Sequence, residues 1–175
     1  LSQGGRDGAK KALANFWRRV SHAAAFGPLQ PTALDRLFGN KALEWSPNFM
    51  LFDMLSRVLS PYQFNPLNYN PLRDVLAESV DFEKLRMTCC PVKLFLSATN
   101  VRTGKVRVFG NDEIGVDAVL ASACLPFLFQ AVEIDGDPYW DGGYMGNPCI
   151  YPLIYECQST DVLIVHINPL ERKHI

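Results

Sequence analysis

Apolar residues recur at helical spacing near the start of the chain. Ala9, Leu13, Phe16, Trp17, Val20 and Ala24 make one face, while Lys11, Arg18 and Arg19 fall largely opposite. The pattern predicts a helix over residues 5–25, ended by Gly27 and Pro28. A basic amphipathic helix lying on a membrane would share this pattern. A helix packed on one side and solvated on the other is the simpler account.

Residues 31–87 lose this regularity and are rich in Pro, Asn and aromatics: Pro47, Pro61, Pro66 and Pro71, with Phe49, Phe52, Tyr62, Phe64 and Tyr69. Short helices are predicted at 31–38, 50–59 and 71–79, the last started by Asn70-Pro71. A further short helix over 81–85 takes Asp81 as its cap. So apolar and broken a segment reads as a substrate-covering cap or as peripheral packing, and both readings stay open.

From Val92 the pattern changes to strands. The run Val92 to Thr99 predicts a buried strand, and Lys105 to Phe109 alternates as a half-exposed one across a turn at Asn100–Gly104. Val116 to Cys124 predicts a short helix of small and branched residues, closed by Pro126. Ala131–Ile134 and Pro138–Trp140 flank Asp135-Gly136-Asp137, a hairpin signal. Pro152–Cys157 predicts a helix, and Asp161–Asn168 a buried strand continuous enough to suggest a parallel sheet. Strands alternating with helices give an α/β expectation, a three-layer α/β/α domain with a mostly parallel central sheet.

Composition narrows the function classes. The chain has 175 residues, 48% hydrophobic and 20% charged, as expected of a single globular domain with a real core. A net charge of −1 gives no electrostatic case for nucleic acid. No apolar run approaches a membrane span, and the start, Leu1 to Arg6, holds no signal-peptide core. Five cysteines (Cys89, Cys90, Cys124, Cys149 and Cys157) are an odd number with no Cys-x-x-Cys, which favours reduced thiols and a cytoplasmic setting. His22, His166 and His174 have no ligand-like spacing to a cysteine, so no zinc site is expected. Both ends read as cuts, and the chain is expected to be part of a longer protein.

The chemistry-bearing stretch is Tyr139-Trp140-Asp141-Gly142-Gly143. Glycines without a Cβ let the backbone turn tightly and approach a ligand closely. An aspartate held at such a turn is a candidate general base. It is equally a turn-capping residue, since Asp-Gly is a common turn pair. Asp135, Asp137 and Asp141 do not follow calcium-loop spacing, so metal is not expected, and Asp135 and Asp137 read as hairpin residues. His166 lies in an apolar run and reads as a core histidine. No Gly-rich phosphate loop is present. Ser122 sits among small residues without a Gly-x-Ser-x-Gly elbow, so the chain offers a base but no activated serine.

The runs Ser122-Ala123-Cys124-Leu125-Pro126, Phe129 to Gly136, Tyr139 to Gly143 and Asn147-Pro148, with Ala98 to Gly104, resemble the bacterial branch of the patatin-like phospholipase family. The resemblance spans the chain from about its first helix to its last strand. It implies a serine–aspartate dyad, in which a Ser on a Gly-x-Ser-x-Gly elbow attacks a fatty-acyl ester and the Asp of Asp-Gly-Gly takes its proton. That position is Asp141, with Gly142 and Gly143 positioning the loop. Pro126, Phe127, Phe129 and Asn147, and the aromatics of 47–69, are expected to line the acyl channel. No cofactor is implied. The partner is a lipid or acyl-ester substrate, with peripheral membrane contact permitted.

This sequence departs from the family pattern: neither the serine elbow nor the oxyanion loop occurs in it. Residues 1–175 are therefore expected to be part of a single patatin-like domain, with Leu1 just beyond the missing nucleophile. Alone they are expected to be inactive. Two rivals remain: a non-catalytic lipid-binding protein that keeps the fold, and an acyltransferase that passes the acyl group to an alcohol.

Overall fold

The computed structural model describes residues 4–24, 47–87, 92–146 and 149–165. The expected helix at 31–38, Cys89, Cys90, Asn147, Pro148, His166 and His174 lie outside these residues.

Helix α1 (Gly5–Ala24) forms where its periodicity places it. None of its residues is buried, and Leu13 and Trp17 are more than half exposed. Contact with the rest of the fold comes at its C-terminal end. There Val20, Ala23 and Ala24 border an apolar cleft of about 180 Å³ shared with Val75, Leu120 and Phe129. Arg19 adds an exposed ion pair with Glu78 at 2.8 Å.

Among the described residues four helices follow: α2 (Pro47–Val58), α3 (Pro61–Phe64), α4 (Leu72–Ser79) and α5 (Phe82–Arg86). The starts of α3, α4 and α5 follow local chemistry. The Gln63 side chain accepts from the Ser60 N–H at 2.9 Å, Asn70 accepts from the Leu72 N–H at 3.1 Å, and Asp81 accepts from the Lys84 N–H at 3.2 Å. Val75 and Leu76 are the buried residues of α4. On α2, Met50, Leu51, Met54 and Val58 are exposed.

Among the described residues the sheet has four strands: β1 (Leu96–Asn100), β2 (Val106–Phe109), β3 (Val132–Ile134) and β4 (Asp137–Asp141). Their order is β2-β1-β4-β3, and each pairing is antiparallel. This corrects the expectation of a mostly parallel sheet for the described residues. The α/β character stands, since helices pack on the sheet. The three-layer arrangement is not drawn by these residues.

Two strand boundaries also differ. β1 begins at Leu96 rather than Val92, because the segment before it bonds to a side chain instead of a strand. Asn111 accepts from the Leu94 N–H at 2.8 Å and donates to the Val92 and Leu85 carbonyls at 2.9 and 3.1 Å. Residues 161–165 are exposed and not in a strand, so the buried strand expected over 161–168 is not found where the chain is described. A short helix, α7 (Tyr151–Glu156), precedes them.

Turns carry the sequence signals faithfully. The Asn100 side chain accepts from the N–H groups of Arg102 and Thr103 at 3.0 and 2.9 Å, shaping the β1–β2 turn. Asp135 (φ 55°) and Gly136 (φ 81°) both adopt the left-handed region that a two-residue hairpin of the right twist requires. Strand register is thereby fixed, with Ile134 opposite Asp137 and Val132 opposite Tyr139.

One sheet face packs against α6 (Val116–Ser122). Ala98, Phe109 and Tyr139 on the sheet meet Ala118 and Ala121 on the helix, with Ile114 closing the cluster. Fully buried Ala98 and Ala121 leave room for helix and sheet to approach closely. Phe109 meets Tyr139 edge to face at 5.8 Å, and its burial contributes about 2–3 kcal/mol. Arg107 seals the margin of this core. Its guanidinium lies 4.6 Å over Phe109 and donates to Tyr139 Oη (3.2 Å), Glu113 (2.9 Å) and Asp135 (2.7 Å).

Candidate active site

Asp141 closes β4 and opens a 3₁₀ turn, Gly142–Tyr144. Three segments meet there: the end of β4, the end of α6 and the start of β1. The Asp141 N–H donates to the Cys124 carbonyl at 2.9 Å, just past α6. Its carbonyl accepts from Thr99 Oγ1 on β1 at 2.9 Å. Its carboxylate Oδ1 accepts from the Gly143 N–H at 2.7 Å. The backbone is thus held from both neighbouring elements, and the side chain by the turn that it caps. The turn-capping role that Asp-Gly suggests is therefore present. It occupies one carboxylate oxygen; among the described residues nothing bonds Oδ2.

Gly142 is buried, and a Cβ there would collide with the carbonyl and hydroxyl of Ser97. Only glycine allows β4 and β1 to approach this closely at the point where the chain leaves the sheet. Gly143 is exposed, and its N–H makes the carboxylate bond.

Asp141 borders a cleft of about 340 Å³, lined also by Phe95, Leu96, Ser97, Ser122, Gly143, Gly146 and Cys149. Neither Ser97 nor Ser122 hydrogen-bonds Asp141, and among the described residues their hydroxyls have no protein partner. A dyad is therefore not assembled within these residues. The negative field of Asp141 is felt nearby. Burial first, and then the Asp141 charge, push the Cys124 thiol up to about 11, while its Sγ donates to the Gln130 carbonyl at 3.2 Å.

The predicted lining residues separate. Phe129 borders the apolar cleft beside α1, not the cleft of Asp141. Pro126 is half-buried and Phe127 is exposed; neither lines the Asp141 cleft. Asn147 lies outside the described residues. Phe52 of α2 and Phe64 of α3 pack edge to face at 6.2 Å and do not line the Asp141 cleft. Ser97 and Thr99 were invisible as site residues in the sequence, because nothing local distinguishes a strand serine or threonine. Only the pairing of β1 with β4 brings them to Asp141.

A family model described as patatin-like phospholipase matches residues 2–154. No curated protein and no solved structure matches the chain. The matched stretch runs through α1, the four strands and the Asp141 turn, and reaches into α7. Covering most of the sequence, that match places the fold and the Asp-Gly-Gly turn in one context: the chain belongs to the patatin-like phospholipase family, whose members act on lipid acyl esters.

Proposed function

We propose that Asp141 is the general base of a serine–aspartate dyad that hydrolyses a lipid acyl ester, with the serine supplied by polypeptide outside these residues. One observation carries the proposal: an aspartate fixed through its backbone to β1 and to the end of α6, with one carboxylate oxygen capping a glycine turn, at the lining of a cleft. A base must be held still to be effective, because misplacement costs more than intrinsic basicity supplies.

In this reading Oδ2 takes the proton of the serine hydroxyl as its oxygen attacks the ester carbonyl. Collapse of the tetrahedral adduct expels the alcohol, which leaves protonated by Asp141, and forms an acyl-enzyme. Water then attacks with Asp141 again taking the proton, the fatty acid leaves, and the serine is restored. Stabilisation of the oxyanion falls to backbone N–H groups on the Gly-rich loop that the family resemblance implies.

The test is Asp141→Asn in the full-length protein, assayed on p-nitrophenyl butyrate. Asn caps a turn about as well as Asp, so the fold should survive. Hydrolysis should fall roughly 10²–10⁴-fold. Near-normal turnover in a folded Asp141→Asn protein would overturn the assignment.

A further inference from the structure

The side chain of Thr99 makes a bond that the sheet ladder does not supply. Asp141 pairs with Ala98 at the end of the β1–β4 ladder, and the chain leaves the sheet at Gly142. Its N–H is taken by Cys124, away from β1. Its carbonyl turns toward β1 and is met by the hydroxyl of Thr99, which stands one position along, opposite Trp140. Thr99 is 6% exposed, so water has little access to replace that donor. As a β-branched residue it has few rotamers, and its hydroxyl is aimed by the strand itself.

We propose that Thr99 is a positioning residue for the Asp141 carboxylate; the inference rests on Asp141 being the base. The Thr99 bond fixes the peptide joining Asp141 to Gly142. That peptide sets where the 3₁₀ turn begins, and the turn brings the Gly143 N–H to Oδ1 at 2.7 Å. Without the hydroxyl, the Asp141 carbonyl loses its donor beside the buried Thr99 and the peptide rotates to find another. The carboxylate then loses its fixed place in the cleft, while the residues that contact substrate elsewhere are untouched.

The experiment compares Thr99→Val, Thr99→Ser and Asp141→Asn in the full-length protein. Valine keeps the shape and removes the donor; serine keeps the donor. In Thr99→Val, kcat on p-nitrophenyl butyrate should fall roughly ten- to a hundred-fold with KM little changed, as displacement of a catalytic group by about 1 Å predicts. Thr99→Ser should recover most of it. Amide hydrogen exchange at Gly143 should quicken in Thr99→Val and not in Thr99→Ser, a readout independent of turnover. If Thr99→Val keeps wild-type kcat and Gly143 protection while Asp141→Asn is inactive, the positioning role is wrong and the base assignment stands. If Asp141→Asn is itself active, both fall together. A loss of thermal stability in Thr99→Val with kcat per folded molecule unchanged would mark a merely structural bond and overturn the inference.

Discussion

Ser97 and Gly142 lie so close that no side chain can be accommodated at position 142. A Cβ there would meet the carbonyl carbon, carbonyl oxygen and hydroxyl of Ser97 together. Two of those atoms are backbone in β1, which cannot swing aside as a side-chain tip can. Gly142→Ala should therefore destabilise the fold by about 1–3 kcal/mol, lowering the melting temperature, and should push Asp141 out of place. Gly143→Ala leaves the N–H in place at an exposed position and should cost under about 1 kcal/mol. Equal losses for the two variants in thermal melts would contradict this account of the turn.

Cys124 should resist alkylation in the native protein. Its thiol, held up to about 11 mainly by burial and further by the Asp141 charge, carries little thiolate at pH 8. Mass spectrometry after iodoacetamide treatment should find Cys149 and Cys157 modified before Cys124, and all three modified after denaturation. The same shift sets a pH dependence. The unfolded thiol ionises near 9, its ordinary value, and the folded one near 11, so its stabilising contribution is complete below pH 9 and is lost as pH rises toward 11. Cys124→Ser should flatten that alkaline limb in urea melts taken at successive pH values.

Arg107 joins β2, β4 and the hairpin turn at one point. Arg107→Ala removes bonds to Tyr139, Glu113 and Asp135 together with the stacking on Phe109. The ion pairs are partly exposed and individually weak, but the stem and ring contacts add to them. A loss of about 1–2 kcal/mol is expected, and Arg107→Lys should recover only part of it because a single ammonium nitrogen lacks the planar fork that spans these partners from two nitrogens and lies over Phe109. Full rescue by lysine in chemical denaturation would show that charge alone matters here.

Asn111 should be sensitive in both directions of its amide. Asn111→Asp keeps the acceptor for the Leu94 N–H but loses the donors to Leu85 and Val92. Asn111→Leu loses all three. Expected costs are about 1–2 and about 2–3 kcal/mol respectively. Identical stabilities for the two variants would mean that the bond accepted from the Leu94 N–H contributes nothing.

How much of this was legible in the sequence depended on whether the signal was local. Asn100, Asp135-Gly136 and Asp81 announce a turn, a hairpin and a helix cap because each satisfies its own neighbouring backbone, and the structure has all three. The helical periodicity of Ala9 to Ala24 likewise gives α1. Strand partners are not local. An apolar run such as Asp161–Asn168 states a preference for burial without naming a neighbour or a direction, so the parallel sheet drawn from it is not found among the described residues. Val92–Phe95 reads as a strand, yet its bonds go to Asn111, whose role no nearby residue betrays. For the site, the glycine turn marked Asp141. The approach of Ser97 and Thr99 depends on β1–β4 register, which two segments some 40 residues apart cannot reveal singly.

The tight Asp135–Gly136 connection also governs how this family member can change over time. Side chains alternate from one surface of β4 to the other, so each single-residue insertion between that connection and Asp141 would rotate the carboxylate to the wrong surface. Length variation in this arm is therefore restricted by parity: additions of two residues preserve the facing of Asp141, and additions of one abolish it.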